Sequence, residues 1–246
     1  MGRIAVVTSG KGGAGKSTVS AGLGYALAAA GAKVLLVDGD AGLRSLDLML
    51  GVGQDIMLDV SDIFAGNCEP IKAVYPSGFS DKLALLPAPS RLEALCSPHD
   101  LRRLCRGFAR LYDFVLIDCP AGTGAGFETA VAAADTALVV TTPDLICARD
   151  AGLVADLLEE ASVSARLIIN RVRVAPVLQG KMPDLDTIID TAGVQLIGVI
   201  PEDEQLTIAV ANGRPLPDNG TAAACFRNIA RRFCGDDVPL LPLQKM

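Results

Sequence analysis

The sequence of 246 residues has no tryptophan, one histidine and 4% aromatic residues. With so few rings, its core must be filled by Ala, Val, Leu and Ile, which suits a parallel sheet sandwiched between helices. The lone His99 has no second histidine to share a metal site with. Seven cysteines (68, 96, 105, 119, 147, 225 and 234) form an odd set with no C-x-x-C pair. That argues against a disulfide framework and against an iron–sulfur carrier, and fits reduced thiols used as small core hydrophobes. Positive charge is in deficit, with 22 basic against 28 acidic residues and a net charge of −6. A nucleic-acid binder needs concentrated positive charge, so DNA is an unfavoured partner. Residues 3–9 are too short for a secretory signal and lack a cleavage region. The uncharged run from Ser17 to Ala32 is rich in Gly and Ala and reads as a buried helix rather than a membrane span. No repeat, low-complexity tract or linker interrupts the chain, which points to one domain over residues 1–246.

What is present is an alternation of short β-branched runs with helical patterns. Strands are expected at 4–8, 33–37, 83–86, 114–117, 137–141, 165–169 and 195–200, and helices at 18–30 and 98–112 among others. Residues 47–80 are irregular by pattern with room for short helices, and 173–183 reads as a surface loop. Apolar runs bounded by turn residues are strands buried on both faces. The expected fold is α/β: a doubly wound, mostly parallel sheet with helices on both faces. In such folds ligands bind at the carboxyl ends of the strands.

One of those ends carries Gly10-Lys11-Gly12-Gly13-Ala14-Gly15-Lys16-Ser17, a match to the P-loop pattern G-x-x-x-x-G-K-[ST]. Glycines let the backbone fold tightly enough for its N–H groups to converge on phosphate oxygens. Lys16 reaches the β- and γ-phosphates, the Ser17 hydroxyl ligates Mg²⁺, and the following helix, opening at Thr18, presents its N-terminus to the anion. Two further strand ends are acidic: Asp38 and Asp40 after Val37, and Asp118 after Ile117. A carboxylate there holds Mg²⁺ through water or orients Ser17. ATP and Mg²⁺ are the expected ligands, and Mg-dependent ATP hydrolysis the expected reaction.

The second lysine, Lys11, gives K-G-G-x-G-K-S, which resembles the deviant Walker A (MinD/ParA) family of P-loop ATPases. The resemblance extends to residues 38–48, 118–122, 141–150, 199–203, 212–215 and 226–232, and so to nearly the whole chain. It implies an ATP-dependent homodimer in which Lys11 crosses to the partner's phosphates, as an arginine finger does. It further implies that Asp40 positions the attacking water, that Asp150 pairs with Lys11 when the site is not assembled, that Asn170 reads adenine, and that Pro201 forms the opposite adenine wall. The implied role is a cytoplasmic switch in placing the division site, peripheral at the inner face of the membrane. Its implied partners are a MinC-like division inhibitor and a stimulating or topological factor.

Two features depart from the family pattern. Ser45 stands where Asn is usual, and residues 235–246, with two prolines and one lysine, do not make the basic amphipathic helix that attaches such proteins to membrane. Ala222, Phe226, Ile229 and Phe233 form a helical stripe flanked by Arg227, Arg231 and Arg232. That stripe is either a membrane-surface helix or a terminal helix packed on the domain. Arg102, Arg103, Arg106 and Arg110 are either a solvated face or a DNA patch. A partition ATPase acting on DNA and a nucleotide-gated scaffold with little turnover stay open as alternative functions.

Overall fold

A computed structural model describes residues 1–40, 45–53, 56–89 and 97–245. The motif residue Arg44 and Cys96 lie outside the described residues. The elements run β1 (Arg3–Thr8), α1 (Lys16–Ala29), β2 (Val34–Asp38), α2 (Leu46–Met49), α3 (Val60–Phe64), β3 (Tyr75–Ser77), β4 (Ser80–Leu86), α4 (Pro98–Phe108) and β5 (Phe114–Asp118). They continue through α5 (Ala125–Ala133), β6 (Thr136–Thr141), α6 (Leu145–Glu160), β7 (Ser164–Val172), α7 (Val174–Leu178), α8 (Leu185–Ala192), β8 (Leu196–Pro201), α9 (Glu204–Ala211) and α10 (Gly220–Cys234).

The strands form one sheet in the order β3-β4-β2-β5-β1-β6-β7-β8. Every pairing is parallel except that of β3 with β4. β1, β2, β5 and β6 are buried along nearly their whole length, and β4 and β7 through their apolar stretches, as continuous Val, Leu and Ile runs require. Two cores result. α1 and α10 pack on one face through Val19, Leu23, Leu27, Phe226 and Ile229. α4, α5, α6 and α8 pack on the other through Leu104, Phe108, Phe127, Val154 and Ile188. The chain leaves β1 through α1 on the first face and leaves β5 through α5 on the second. The crevice between these opposite crossovers opens beside the carboxyl end of β1.

Local chemistry sets the ends. Ser97, Asp144, Asp184 and Asp203 cap their helices by accepting backbone N–H bonds, and Gly193 and Gly235 close α8 and α10 in the left-handed conformation. The helix expected over 98–112 ends at Phe108, because the next residues tighten into turns with Leu111 and Tyr112 both donating to the Phe108 carbonyl. The expected loop at 173–183 contains a short helix, α7. Pro176 falls in its first turn, where a missing N–H costs nothing, and Val177 is buried. The irregular stretch before Ser80 holds the short helices α2 and α3, and also β3, whose three residues with a central proline carry no strand pattern.

The α10 stripe is settled by burial. Ala222, Phe226, Ile229 and Phe233 are 1–5% exposed in the interface with α1 and the sheet. Burying the three large side chains is worth roughly 5–9 kcal/mol as an upper estimate. Its arginines are engaged as well. Arg232 donates to the carbonyls of Val238, Ile197 and Pro239, Arg231 pairs with Asp236, and Arg227 donates to the Asp218 carbonyl. Of the two alternatives, α10 is therefore the terminal helix packed on the domain. In the α4 cluster, Arg106 is pinned to Asp135 at 2.5 Å and Arg103 lies 3.7 Å from Asp100. No helix among the described residues is long and apolar enough to cross a membrane.

Candidate functional site

The phosphate loop bridges β1 and α1. Gly13 and Gly15 have φ of 86° and 90°, values that a side chain strongly disfavours. Gly10 could carry no Cβ either, since one would lie 2.4 Å from the Asp150 carbonyl oxygen in the second turn of α6. Ser9 Oγ donates to the Lys11 carbonyl at 2.8 Å and closes the base of the loop. Helix α1 begins at Lys16 with Gly15 as N-cap and no side-chain cap. Its first N–H groups are thus left for an anion, the arrangement that suits a phosphate. Gly12 and Gly13 are exposed, Gly15, Ser17 and Thr18 half-buried, and Ala14 and Lys16 buried.

Behind the loop stand the acidic strand ends. β2 and β5 are neighbours in register, with Asp38 opposite Asp118, and both carboxylates are almost fully buried. Burial first, and then the Asp118 charge, push Asp38 up to about 8. Burial likewise raises Asp118 to about 6, against the opposing effect of the Ser17 and Ser20 hydroxyls and the Lys16 charge. Ser20 Oγ donates to Asp118 at 3.0 Å. The Asp40 N–H donates to Asp38 at 3.0 Å; burial raises the half-exposed Asp40 carboxyl while Lys16 lowers it. Two buried carboxylates beside a hydroxyl and a phosphate cradle are a hard-oxygen set. They fit Mg²⁺ held partly through water and phosphate, since no group of three His, Cys, Asp or Glu converges among the described residues.

This electrostatic load sets a pH dependence. A carboxylate raised on folding binds more protons in the folded than in the unfolded state. Its charge therefore costs stability as pH rises from the ordinary carboxylate value near 4 through about 8. Asp38→Asn removes that cost and is expected to stabilise the nucleotide-free protein at pH 8 by about 1–3 kcal/mol, and far less at pH 5. Thermal midpoints at the two pH values check this; an equal shift at both would contradict the electrostatic origin.

At the loop's mouth Lys11 is exposed and makes no ion pair among the described residues. The helix-capping Asp144 feels its charge. Burial raises Asp144, but bonds from Thr142 and the Cys147 N–H, together with Lys11, hold it below the usual carboxylate range. Asp150 lies within α6, half-buried and with its backbone against Gly10, and it makes no ion pair with Lys11, so the pairing expected for the unassembled site is not formed in the single chain. Asn170 and Pro201 are buried at the carboxyl ends of β7 and β8. The Asn170 amide donates to the Ala14 carbonyl at 2.9 Å, so a strand residue and not a turn touches the loop.

Sequence reasoning missed Arg171, which donates to the Gly13 carbonyl at 3.1 Å. Ser20 was missed too, although it lies one helical turn beyond Lys16 and so on the loop's side of α1. The first depends on a bulge between strands and leaves no sequence signal.

A family profile described as "CobQ/CobB/MinD/ParA nucleotide binding domain" matches residues 5–216. The "Septum site-determining protein MinD" of Synechocystis sp. is 42% identical over 246 residues, covering 98% of this chain and 92% of that relative. A solved "MinC:MinD cell division protein complex" from Aquifex aeolicus superposes with a TM-score of 0.90 at 36% identity, covering 98% of this chain and 99% of that one. The septum-site-determining protein of Pyrococcus horikoshii complexed with Mg-ADP gives a TM-score of 0.85 at 32% identity, with coverage of 95% and 96%.

Proposed function

The chain belongs to the CobQ/CobB/MinD/ParA nucleotide-binding family and is an ATPase of the septum-site-determining kind, and on that premise we propose that it is a dimerising switch built from one P-loop domain. In this reading the loop Gly12–Thr18 takes ATP, and Lys16 neutralises the β- and γ-phosphates. Ser17, with Asp38 and Asp118 behind it through water, would hold Mg²⁺, which supplies further charge neutralisation on the phosphate oxygens. Asp40 orients the attacking water, and Asn170 and Pro201 bracket the adenine.

The observation that carries the reading is the state of the two lysines. Lys16 is buried within its own site, whereas Lys11 is exposed at the loop's mouth without an ion-pair partner among the described residues. A second phosphate-directed charge that its own site does not use is best used on a facing copy. The site is then completed only on association, which makes nucleotide state readable as dimerisation. Gel filtration with light scattering tests this. A dimer is expected in Mg-ATP and a monomer in Mg-ADP; a monomer in both would sink the switch. Asp40→Ala is expected to keep ATP bound and the dimer intact while phosphate release falls at least about tenfold. Wild-type turnover in that variant would remove Asp40 from its role.

A MinC-like inhibitor and a stimulating factor fit the same reading, acting on the cytoplasmic side of the membrane at the division site. Helix α6 starts beside Lys11 and exposes Leu145, Ile146 and Leu153, a surface suited to a partner that senses the dimer. The DNA-partition alternative is less well supported, because Arg106 is tied to Asp135 and no longer contributes to a free basic stripe.

A further inference from the structure

Strand β7 does not end regularly. Its register against β8 shifts between Ile169 and Val172, and Arg171 within the shift has φ of 56°, left-handed for a residue with a long side chain. Among the described residues only Ser162 shares this property without being glycine. A left-handed Arg costs free energy, and such strain persists where the surroundings over-determine it, often at functional sites.

The bulge puts two consecutive side chains on the phosphate loop. Asn170 Nδ2 donates to the Ala14 carbonyl at 2.9 Å, and Arg171 Nη1 donates to the Gly13 carbonyl at 3.1 Å. A trans peptide is planar, with its C=O and N–H antiparallel. Drawing the Gly13 carbonyl toward β7 therefore turns the Ala14 N–H away from it, and drawing the Ala14 carbonyl does the same to the Gly15 N–H. Those two N–H groups belong to the stretch that must face phosphate. Gly15 leaves room for this, because a Cβ there would lie 2.4 Å from Asn170 Nδ2 and 3.8 Å from Arg171 Nε.

We infer that Arg171 is a positioning residue, working with Asn170: it sets the peptide orientation of the loop before any nucleotide arrives. The inference rests on the reading of this loop as the nucleotide site. Arg171 acts through backbone that meets phosphates, so it affects ATP and ADP alike and does not discriminate between bases. Its strained backbone serves the loop and not the stability of the fold.

Isothermal titration with ADP and GDP, and with ATP and GTP, tests this on wild type, Arg171→Ala, Arg171→Lys and Arg171→Gly. Arg171→Ala is expected to weaken ADP and ATP by a similar factor of about ten, with the adenine-to-guanine preference unchanged. Arg171→Lys, which keeps a charged donor, recovers part of the loss. Arg171→Gly relieves the left-handed strain, so its thermal midpoint without nucleotide stays at or above wild type while affinity falls as in Arg171→Ala. Wild-type affinity in Arg171→Ala overturns the inference, as does a change in base preference, or a midpoint in Arg171→Gly that drops together with affinity. Failure of the wild-type chain to bind any nucleotide would overturn the nucleotide-site reading itself, and this inference with it.

Discussion

Lys11→Ala is expected to leave nucleotide affinity within about threefold of wild type while abolishing the ATP dimer and reducing partner-stimulated hydrolysis by about a thousandfold. The split follows from where the charge stands. Lys11 is exposed at the mouth of the loop, and among the described residues its charge acts on Asp144 and Cys147 at the start of α6. Removing it leaves intact the Gly13 and Gly15 turns, the uncapped α1 N-terminus and the buried Lys16, which together form the cradle for the chain's own nucleotide. A charge supplied in trans is different: it enters a low-dielectric site only on association, and there it stabilises developing transition-state charge. Equilibrium binding of a fluorescent nucleotide, light scattering in Mg-ATP and steady-state phosphate release separate the three quantities. A Lys11→Ala dimer of unchanged affinity would refute the trans role. Loss of nucleotide binding together with the dimer would place Lys11 in its own site instead.

The second large effect is expected from a single methyl group. Gly15→Ala should lower nucleotide affinity by at least about a hundredfold and cost about 2–4 kcal/mol of stability without nucleotide. Two independent penalties add. The backbone at Gly15 has φ of 90°, where a Cβ meets its own carbonyl, and the added Cβ would also fall 2.4 Å from Asn170 Nδ2. Asn170 is 3% exposed and spends its amide on the Ala14 carbonyl, so displacing it leaves a buried donor unpaired. Whichever side yields, the loop loses the orientation that aims its N–H groups at phosphate. Denaturation midpoints and ADP titration measure both parts. If Gly15→Ala binds ADP as tightly as wild type, the left-handed turn is not required for binding. Gly12→Ala is a useful control, because a Cβ there meets nothing closer than the Ala121 methyl at 3.9 Å.

The strands and the phosphate loop were legible because their signals are local. Continuous runs such as Val34–Val37 and Phe114–Ile117 must be buried on both faces, and each proved to be an interior strand. The P-loop is legible because only glycine meets the backbone demands at 13 and 15. The short elements failed for the opposite reason. β3 is three residues long and held by its antiparallel pairing with β4, and α7 survives around Pro176 through the burial of Val177. In neither is there enough local pattern to read. The α10 stripe was ambiguous in principle, since a helix with Phe226, Ile229 and Phe233 on one side suits a membrane surface and a protein core equally. The contact with α1, where Phe226 lies so close to Gly22 that a Cβ there would meet its ring at 2.3 Å, settles the matter.

By itself the sequence determined that this chain makes a parallel α/β sheet, carries a phosphate-binding loop with a second lysine, and ends two strands in aspartates. All of these follow from side chains and backbone needs within a few residues of one another. The tertiary structure alone decided that Asp38 and Asp118 lie side by side so that the Asp118 charge raises Asp38, that Arg106 and Arg232 are tied down rather than free, and that Asn170 and Arg171 hold the loop's carbonyls across 156 and 158 residues of chain. Those facts depend on which strands are neighbours and on a one-residue bulge at the end of β7. Sheet order and register are set by the packing of the whole core, and no window of sequence contains them.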